Sequence, residues 1–280
     1  MLQTKEKKKR EKYDVVSNVI IIVFALLNLF PLYWLFTSSL KNSSDVIKMP
    51  PDWWPKTFSF SNYIDVFNNQ PALRWTLNSL FVAGVSTILV VIASSMAAYA
   101  FSKLNFFGKN MLFVVFISSL MVPKEVMIVP LFRITQDLGM VNSLWGMIWP
   151  NVATAFGVFL LKGFFDSVPD ALREAARIDG AGEVRTFLQI LLPIVKPGIG
   201  ALFILNFVQV WNDYLWQLVI GQDKNVKTLM VGIATLMQDL NPNFAYKMAG
   251  ATVAAVPMLL IFLLFQRYFT RGIAGGAVKE

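Results

Sequence analysis

Few residue types in this chain are suited to catalysis. Among its 280 residues there is no histidine and no cysteine, which excludes imidazole and thiol nucleophiles and the usual protein ligands of zinc and haem. The G-x-x-x-x-G-K-[ST] sequence that cradles the phosphates of ATP is also absent. No metal or cofactor is therefore predicted in this chain, although a membrane enzyme with a Ser–Lys pair or an aspartate remains open on composition alone.

One polar stretch, residues 167–193, has a spacing typical of a contact with another protein. Ser167 is a good N-cap, and Asp170 complements the dipole of a helix that starts there. Gly180 can adopt the left-handed conformation that ends a helix, and a second short helix is predicted up to about Leu192. The sequence thus predicts two short surface helices that meet at a glycine and lead directly into an apolar segment.

Seven residues in this stretch match the EAA signature of a known family. The signature is EAA-x3-G-x9-I-x-LP, and the chain fits it without a gap at Glu174, Ala175, Ala176, Gly180, Ile190, Leu192 and Pro193. The chain therefore resembles the permease subunits of ATP-binding-cassette (ABC) importers that work with an extracytoplasmic binding protein. An ordinary amphipathic connector, in which alanine is simply a good helix former, is the alternative.

The resemblance implies that this stretch is a coupling helix seated in a groove on a separate ABC ATPase. Ala175 and Ala176 would allow a close approach of the two backbones, while Glu174 would offer a charge to a basic partner, with Asp179 on the same surface. ATP and Mg²⁺ would bind to the ATPase dimer and not to this chain. The other implied partners are a second permease subunit, different from this one, and an extracytoplasmic solute-binding protein.

Further segments narrow the resemblance to the carbohydrate-uptake branch and to its smaller, maltose-type permease. They are Phe30-Pro31, Asn62-Tyr63, residues 97–101, 130–132 and 211–216, and Thr228-Leu229. The end of the chain resembles the maltose-type tail G-x-x-A-G-A-V-K-G, from which it departs at Gly275 and Glu280. The resemblance implies that Gly272, Gly276 and Lys279 reach the ATPase, and that the solute is a sugar or oligosaccharide. A non-sugar solute such as glycerol phosphate stays open.

Polar residues inside one apolar segment, 199–220, predict a route for the solute. They recur at spacings of three, four and four residues, at Asn206, Gln209, Asp213 and Gln217. On a continuous helix this spacing places all four on one face. Such a stripe suits a sugar, whose hydroxyl groups need hydrogen-bonding partners in the membrane. Hydrogen bonds between helices of the bundle are the alternative.

Aromatic and charged residues near the end of the route each allow two interpretations. Trp211, Tyr214 and Trp216 can stack on a sugar ring or form an aromatic belt at the membrane interface. Lys124 and Glu125 are predicted to form an ion pair inside an apolar segment. That pair is either a hinge or gate near the external mouth of the pathway, or two side chains that reach for the lipid headgroups.

The elements that must position these residues are apolar. Of all residues 56% are hydrophobic and 15% are charged, and the mean hydropathy is +0.56, against about 45–50% apolar and about 25% charged in a soluble domain. The net charge is +8, and six of the 25 basic residues lie in the first twelve positions, within the basic N-terminal segment 1–14. A basic run before a long apolar segment indicates a cytoplasmic flank that contacts anionic lipid, and not nucleic acid.

A bilayer crossing needs roughly 20 apolar residues, and the chain offers six such segments. They are predicted at 15–36, 77–101, 111–132, 144–165, 199–220 and 248–269. The first is long enough to be a retained helix instead of a signal peptide. The expected fold is an all-α integral membrane bundle of six helices, and the resemblance implies the type I ABC importer permease fold. We expect one permease domain over 15–280, which contains the 167–193 loop.

The distribution of Lys and Arg predicts the orientation of the bundle. With the N-terminus inside, 16 of the 25 basic residues face the cytoplasm and eight face the other side, as the positive-inside rule requires. Both termini then lie in the cytoplasm, and the protein is expected in the inner membrane of a prokaryote. Residues 38–75 form a long external segment whose Trp53-Trp54 pair predicts a folded piece at the membrane face.

A gradient-driven carrier or a channel is the competing transport function. It would need its own ion-coupling charges inside the membrane, for which Asp213 and Glu125 are the only acidic candidates. It would also have no use for a coupling motif. The expected function is therefore transport driven by a separate ATPase, without an enzymatic site in this chain.

Overall fold

The computed structural model describes the backbone of residues 2–238 and 243–277, and the side chains of residues 15–238 and 243–264. Every regular element in these ranges is a helix, in agreement with the predicted all-α class. The α-helices are α1 (Leu2–Ser39), α2 (Ser43–Val46), α3 (Ser61–Asn69), α4 (Ala72–Lys103), α5 (Lys109–Ser118), α6 (Ile128–Asp137), α7 (Leu144–Val152), α8 (Ala155–Asp166), α9 (Ala171–Ile178), α10 (Glu183–Arg185), α11 (Leu192–Ile194), α12 (Lys196–Trp211), α13 (Leu215–Ile220), α14 (Leu229–Gln238) and α15 (Phe244–Ala277). Short 3₁₀ turns occupy Ser119–Met121 and Lys124–Met127, and a π-turn occupies Thr186–Leu191.

Three helices are long and apolar enough to cross a bilayer in one piece. They contain Val15–Ser39, Ala72–Lys103 and Phe244–Leu264, which matches the predicted first, second and sixth segments. Three further candidates are pairs of helices joined at a break, so the described residues contain between three and six crossings by length and composition.

The three broken pairs bend where the sequence interrupts the helix. The third segment bends by 93° next to Pro123, the fourth by 46° after α7, which contains Pro150, and the chain bends by 77° at Val195, between Pro193 and Pro197. Proline removes a backbone donor and clashes with the preceding turn, so helices break around it. The breaks in the third and fourth segments lie close to the interruptions visible in the sequence.

The fifth segment was predicted to be one continuous helix, but in the structure it consists of two helices. The helix α12 ends at Trp211, and α13 begins only at Leu215. The Asn212 side chain donates to the Val208 carbonyl (3.0 Å), and the Asp213 carboxylate accepts from the Trp216 backbone N–H (3.3 Å). Short polar side chains of this kind compete with the helical backbone hydrogen bonds.

The chain forms two compact units, residues 1–70 with 236–253 and residues 71–235 with 254–280. In the first unit the predicted external segment is folded: Lys41 is buried and donates from Nζ to the Asp52 carbonyl at 2.5 Å. Its ammonium also lies 4.4 Å from the centre of the Trp34 ring. Asn62 donates to the carbonyls of Ser39, the last residue of α1, and of Lys41 in the loop that follows, which satisfies backbone groups that a helix end and a loop otherwise leave unpaired.

In the second unit α4 is the central helix. It packs against α7, α8 and α12, and its contact faces contain many small residues. At Gly157 of α8 an added Cβ would collide with the Ser94 hydroxyl of α4, so the glycine allows the two helices to approach closely. The apolar core of the unit includes Val90, Leu161 and Leu202, one from each of α4, α8 and α12.

Candidate functional site

The residue order of the 167–193 stretch produces a short helix, a glycine turn and a second helical piece. The helix α9 begins at Ala171 with Asp170 before it, and Ser167 does not cap it, since the Ser167 hydroxyl donates to the Phe164 carbonyl at 2.7 Å. The N-cap prediction for Ser167 is therefore wrong by one turn. The left-handed turn at Gly180 is confirmed, with φ +76°. The second piece runs through α10, the π-turn and α11, to Ile194.

The signature residues of α9 point to opposite sides. Glu174, Ala175 and Asp179 are exposed, as is Gly180, and this is the surface on which the resemblance places an ATPase. Ala176 is buried within the chain, so its small size serves the packing of α9 onto its own unit and not an external contact. In the second piece Pro193 is exposed, while Ile190 and Leu192 are half-buried.

Three exposed apolar residues that sequence reasoning missed lie in the same stretch. Ile178 is 86% exposed, Val184 71% and Leu188 51%, although all three lie in a stretch rich in charge. A cluster of exposed large apolar side chains marks an interaction surface. The signal was available in the sequence as isolated apolar residues among the polar ones of a predicted surface segment.

Glu183 is the centre of a cluster of hydrogen bonds beneath this surface. Its carboxylate accepts from Arg173 (2.8 Å) and Arg177 (2.6 Å), which lie one turn apart on α9, and from the Tyr99 hydroxyl of α4 (2.5 Å). These donors, Arg173 first, lower the pKa of Glu183 to about 2. Burial opposes the shift but is outweighed, so the carboxylate is ionised throughout the neutral range.

Lys103, in the last turn of α4, holds the other end of α9. Its buried ammonium donates to the Val168 carbonyl at 2.6 Å and to the Asp170 carboxylate at 2.7 Å. The hydrogen bond and charge of Lys103 lower the pKa of Asp170 below its usual value. Neither the Tyr99–Glu183 contact nor the Lys103 contacts were predicted, because the residues they join are 65 to 84 positions apart in the sequence.

The predicted polar stripe of the fifth segment is divided by the break after Trp211. Asn206 is buried and donates to the Thr87 hydroxyl of α4 at 3.0 Å, which is the interhelical hydrogen bond that was the alternative. Gln209 is exposed. Gln217 is buried on α13, where its amide nitrogen donates to the Val210 carbonyl at 2.7 Å, and its amide oxygen has no partner within the described residues. The four residues therefore do not share one helix face.

Asp213 lies at the break and pairs with a residue of the third segment. The Lys124 ammonium donates to the Asp213 carboxylate and to the Asn151 amide oxygen, both at 2.8 Å. The predicted Lys124–Glu125 pair is thus corrected to Lys124–Asp213. Each of these residues sits at or beside one of three helix breaks, where the chain direction changes and leaves room for polar side chains. A cavity of about 50 Å³ at this place is lined by Lys124 and Asp213 and also by Glu125.

Two of the three aromatic residues predicted to contact the solute or the membrane interface, Trp211 and Trp216, are buried inside the second unit. Trp211 is buried and stacks on Phe207, with ring centres 5.9 Å apart, and Trp216 is buried with its indole N–H donating to the Gly146 carbonyl at 3.2 Å. In this state neither presents a free face to a sugar or forms an interfacial belt, while Tyr214 is half-buried. Of the predicted tail contacts, Lys279 and the side-chain positions of Gly272 and Gly276 lie outside the described residues.

Comparison with known proteins gives the same family throughout the chain. The family model of the binding-protein-dependent transport system inner membrane component matches residues 89–275. The arabinooligosaccharides transport system permease protein AraQ of Bacillus subtilis is 35% identical, over 95% of this chain and 96% of that protein. The sn-glycerol-3-phosphate transport system permease protein UgpE of Pectobacterium atrosepticum is 35% identical, over 94% and 97%.

A solved structure supports the fold. A chain of a bacterial ABC transporter involved in the import of the acidic polysaccharide alginate aligns with a TM-score of 0.80. The alignment covers 92% of this chain and 96% of that chain at 24% sequence identity. At that identity the likeness concerns the fold alone.

Proposed function

We propose a function from the family of this chain, which belongs to the binding-protein-dependent transport system inner membrane components. The chain is the permease subunit of an ABC importer that moves a sugar or oligosaccharide into the cytoplasm. The chain is a protein of the inner membrane. The observation that supports coupling to an ATPase is the exposed 171–188 surface, on which Glu174 and Ala175 lie with the apolar Ile178, Val184 and Leu188.

The partners follow from this assignment. An ABC ATPase dimer would bind ATP and Mg²⁺ and seat the 171–188 surface, with Gly272, Gly276 and Lys279 of the tail as further contacts. A second, different permease would supply the other half of the pathway. A solute-binding protein would deliver the solute from outside, which fits a family described as components of binding-protein-dependent transport systems. No ATPase site is proposed in this chain.

The proposed topology has six crossings and both termini in the cytoplasm, with residues 15–280 as one permease domain. The three straight helices and the three bent pairs supply six candidates. Of the last pair only Lys196–Trp211 would cross, while Glu183–Ile194 would stay with the coupling surface, and the bias of Lys and Arg supports the orientation. The 167–193 stretch then lies on the cytoplasmic side, where an ATPase can reach it.

In the proposed cycle, closure of the ATPase dimer on ATP would draw the two coupling surfaces together. The helices of the two permeases would then rock as rigid bodies and open the cavity outward, where the binding protein releases its solute. The cavity of about 50 Å³ near Lys124 is far smaller than the roughly 300–1,000 Å³ of ligand sites. We therefore place the route between this chain and its partner permease, with Asn206, Gln209, Trp211, Asp213, Tyr214 and Gln217 as its proposed lining after rearrangement.

Two solute classes are supported to different degrees. The relative named for arabinooligosaccharides and the sequence segments shared with the maltose-type branch favour an oligosaccharide. A relative of equal identity is named for sn-glycerol-3-phosphate, so glycerol phosphate is the second candidate. A gradient-driven carrier is the least supported, because it would not require the coupling surface.

Reconstitution with the ATPase encoded beside this chain tests the proposal. The chain, the neighbouring permease and the ATPase are co-purified, and ATP-dependent uptake is measured in proteoliposomes with the cognate binding protein. Ile178→Asp should abolish co-purification of the ATPase, because it places a charge in the middle of the apolar contact. Phe107→Asp, at a fully exposed apolar residue of another loop, should leave co-purification unchanged. Uptake that continues at full rate without any ATPase would contradict the proposal.

A further inference from the structure

The long helix α4 is fastened to the coupling surface at two points. Lys103 bonds to the chain just before α9, at Val168 and Asp170, and Tyr99 bonds to Glu183 just after it. Since Glu183 also binds both arginines of α9, the last turns of α4 and the whole of α9 are joined by charge-assisted hydrogen bonds. A displacement of α9 must therefore either break this cluster or move the end of α4.

The opposite end of α4 is fastened as well, to residues 224–229. The Trp75 indole donates to the Lys224 carbonyl at 2.7 Å, and the Asn78 amide donates to the carbonyls of Asn225 and Lys227, both at 2.9 Å. The Ser79 hydroxyl accepts the Leu229 backbone N–H at 2.8 Å. These bonds come from three residues within about one helical turn of α4, and they hold the turn that precedes α14 together with the first residue of α14.

Between its two ends α4 is a continuous helix of 32 residues without a proline, about 48 Å long at 1.5 Å per residue. Its neighbours differ from it, because α5 with α6, α7 with α8 and the chain around α12 are all broken. An unbroken helix transmits a push or a tilt along its length, whereas a broken one can absorb it at the break. Among the helices of the second unit with described side chains, α4 is the one that joins the coupling surface to the far end.

We propose that α4 is a relay rod, which carries the movement of the coupling surface to the 224–229 segment. Lys103, Tyr99 and Glu183 are positioning residues at its cytoplasmic end, and Asn78 is a positioning residue at the other. This rests on the proposed function, because the movement comes from the ATPase. Beyond the proposed function, the relay identifies α4 as the element that transmits the movement and residues 224–229 as the segment that receives it.

The absence of cysteine in the chain makes the test direct. A single cysteine replaces the exposed Asn225 and takes a nitroxide or an environment-sensitive fluorophore, in the complete complex in nanodiscs. Mg-ATP with orthovanadate, which traps the closed ATPase, is the probe. The label should respond to trapping in the parent complex. In the double variant Tyr99→Phe, Lys103→Met, which changes α4 alone and removes its bonds to Glu183, Val168 and Asp170, the ATPase should still bind and hydrolyse ATP, while the label response falls at least fivefold.

A matched control and a second variant keep the outcome decisive. Lys162→Met removes another ion pair of this side, with Asp166, that does not touch α9, and it should leave the response unchanged. If the double variant does not assemble, Asn78→Leu acts at the far end of α4, where ATPase binding is not affected, and should abolish the response. A full response in either variant, or no response in the parent complex with its ATPase bound, overturns the relay. Failure of the parent chain to bind any ATPase overturns the proposed function instead.

Discussion

At the residue scale, the turn at Gly180 has a single conformational requirement. Its φ of +76° lies in the left-handed region, and an added Cβ would meet nothing within 4 Å. The effect of a substitution is therefore purely a backbone effect, of about 1–2 kcal/mol for an L-residue in this conformation. The turn sets the angle between α9 and the piece that follows, so strain here is expected to reach the coupling surface.

Gly180→Ala should lower the ATPase activity that the permease stimulates, by several-fold, while the amount of protein in the membrane stays normal. Gly182→Ala is the matched control, since Gly182 also has open space around it but a negative φ of −70°. ATP hydrolysis by the co-purified complex is the measurement. Equal activity of the two variants would show that the left-handed turn has no part in coupling.

Individual residues were predictable only where the cause is local. The left-handed Gly180 follows from its place after a helix and before a second one, and the structure confirms it. The contact of Glu183 with Tyr99 could not be found in this way, because Tyr99 lies 84 positions earlier and only the folding of the chain brings it near. The prediction of Ser167 as an N-cap was wrong, because its hydroxyl donates to the Phe164 carbonyl of the preceding helix.

At the scale of elements, the contact between α8 and α4 depends on the absence of a side chain at Gly157. An added methyl group would collide with Ser94 and lie 3.3 Å from Leu202. Gly157→Ala should therefore destabilise the purified protein by about 1–3 kcal/mol, as overpacking does. Gly163→Ala on the same helix meets nothing within 4 Å and should be neutral or stabilising. Thermal unfolding in detergent measures both, and equal midpoints would contradict the close approach.

The Lys124 contacts join the helix breaks beside Pro123, after Val152 and after Trp211, so the effects of the two charges are expected to be coupled. Asp213 is 11% exposed, and Lys124→Met would leave its charge without a partner. We expect each of Lys124→Met and Asp213→Asn to lower stability, and the double variant to recover by about 0.5–3 kcal/mol relative to additivity. A double-mutant cycle on unfolding midpoints measures this. Additive losses would mean that the two charges do not interact.

The elements themselves were predicted to different degrees for physical reasons. Long apolar runs define α1, α4 and α15 because the number of residues needed to cross a bilayer is fixed. The break after Trp211 was missed because hydropathy averages over Asn212 and Asp213, which interrupt the helix by local hydrogen bonds. Because this break was not predicted, the spacing of Asn206 and Gln217 was interpreted as one face of a single helix.

At the scale of the whole molecule, the orientation follows from the charge bias and can be measured directly. Because the chain has no cysteine, single cysteines at Asn105 and at Gln222 report on opposite sides. In intact spheroplasts a membrane-impermeant maleimide should label Gln222→Cys and not Asn105→Cys, and both should react after lysis. The reverse pattern would place the coupling surface outside and exclude contact with a cytoplasmic ATPase.

The membrane class was predictable from composition alone, because too few charged residues are present to cover a water-facing surface. The family required a spaced motif, since apolar periodicity is common to all membrane bundles. Which sugar or other solute is carried was not predictable from either, because the Lys124 cavity is too small for a sugar and the remaining walls of the route belong to another chain in the proposed assembly.

The contact between Lys124 and Asp213 also has a consequence for how the protein is made. The two residues are 89 positions apart, so at about 5–20 residues per second the ribosome adds Asp213 roughly 4–18 s after Lys124. During that interval the lysine lacks the Asp213 carboxylate. A lone lysine at the centre of a membrane helix costs about 2.5–3.5 kcal/mol on insertion scales, which is an upper bound for Lys124 because it lies at a helix break. The third segment is thus expected to stay beside the translocon, and to settle into the bilayer only when the fifth has been synthesised.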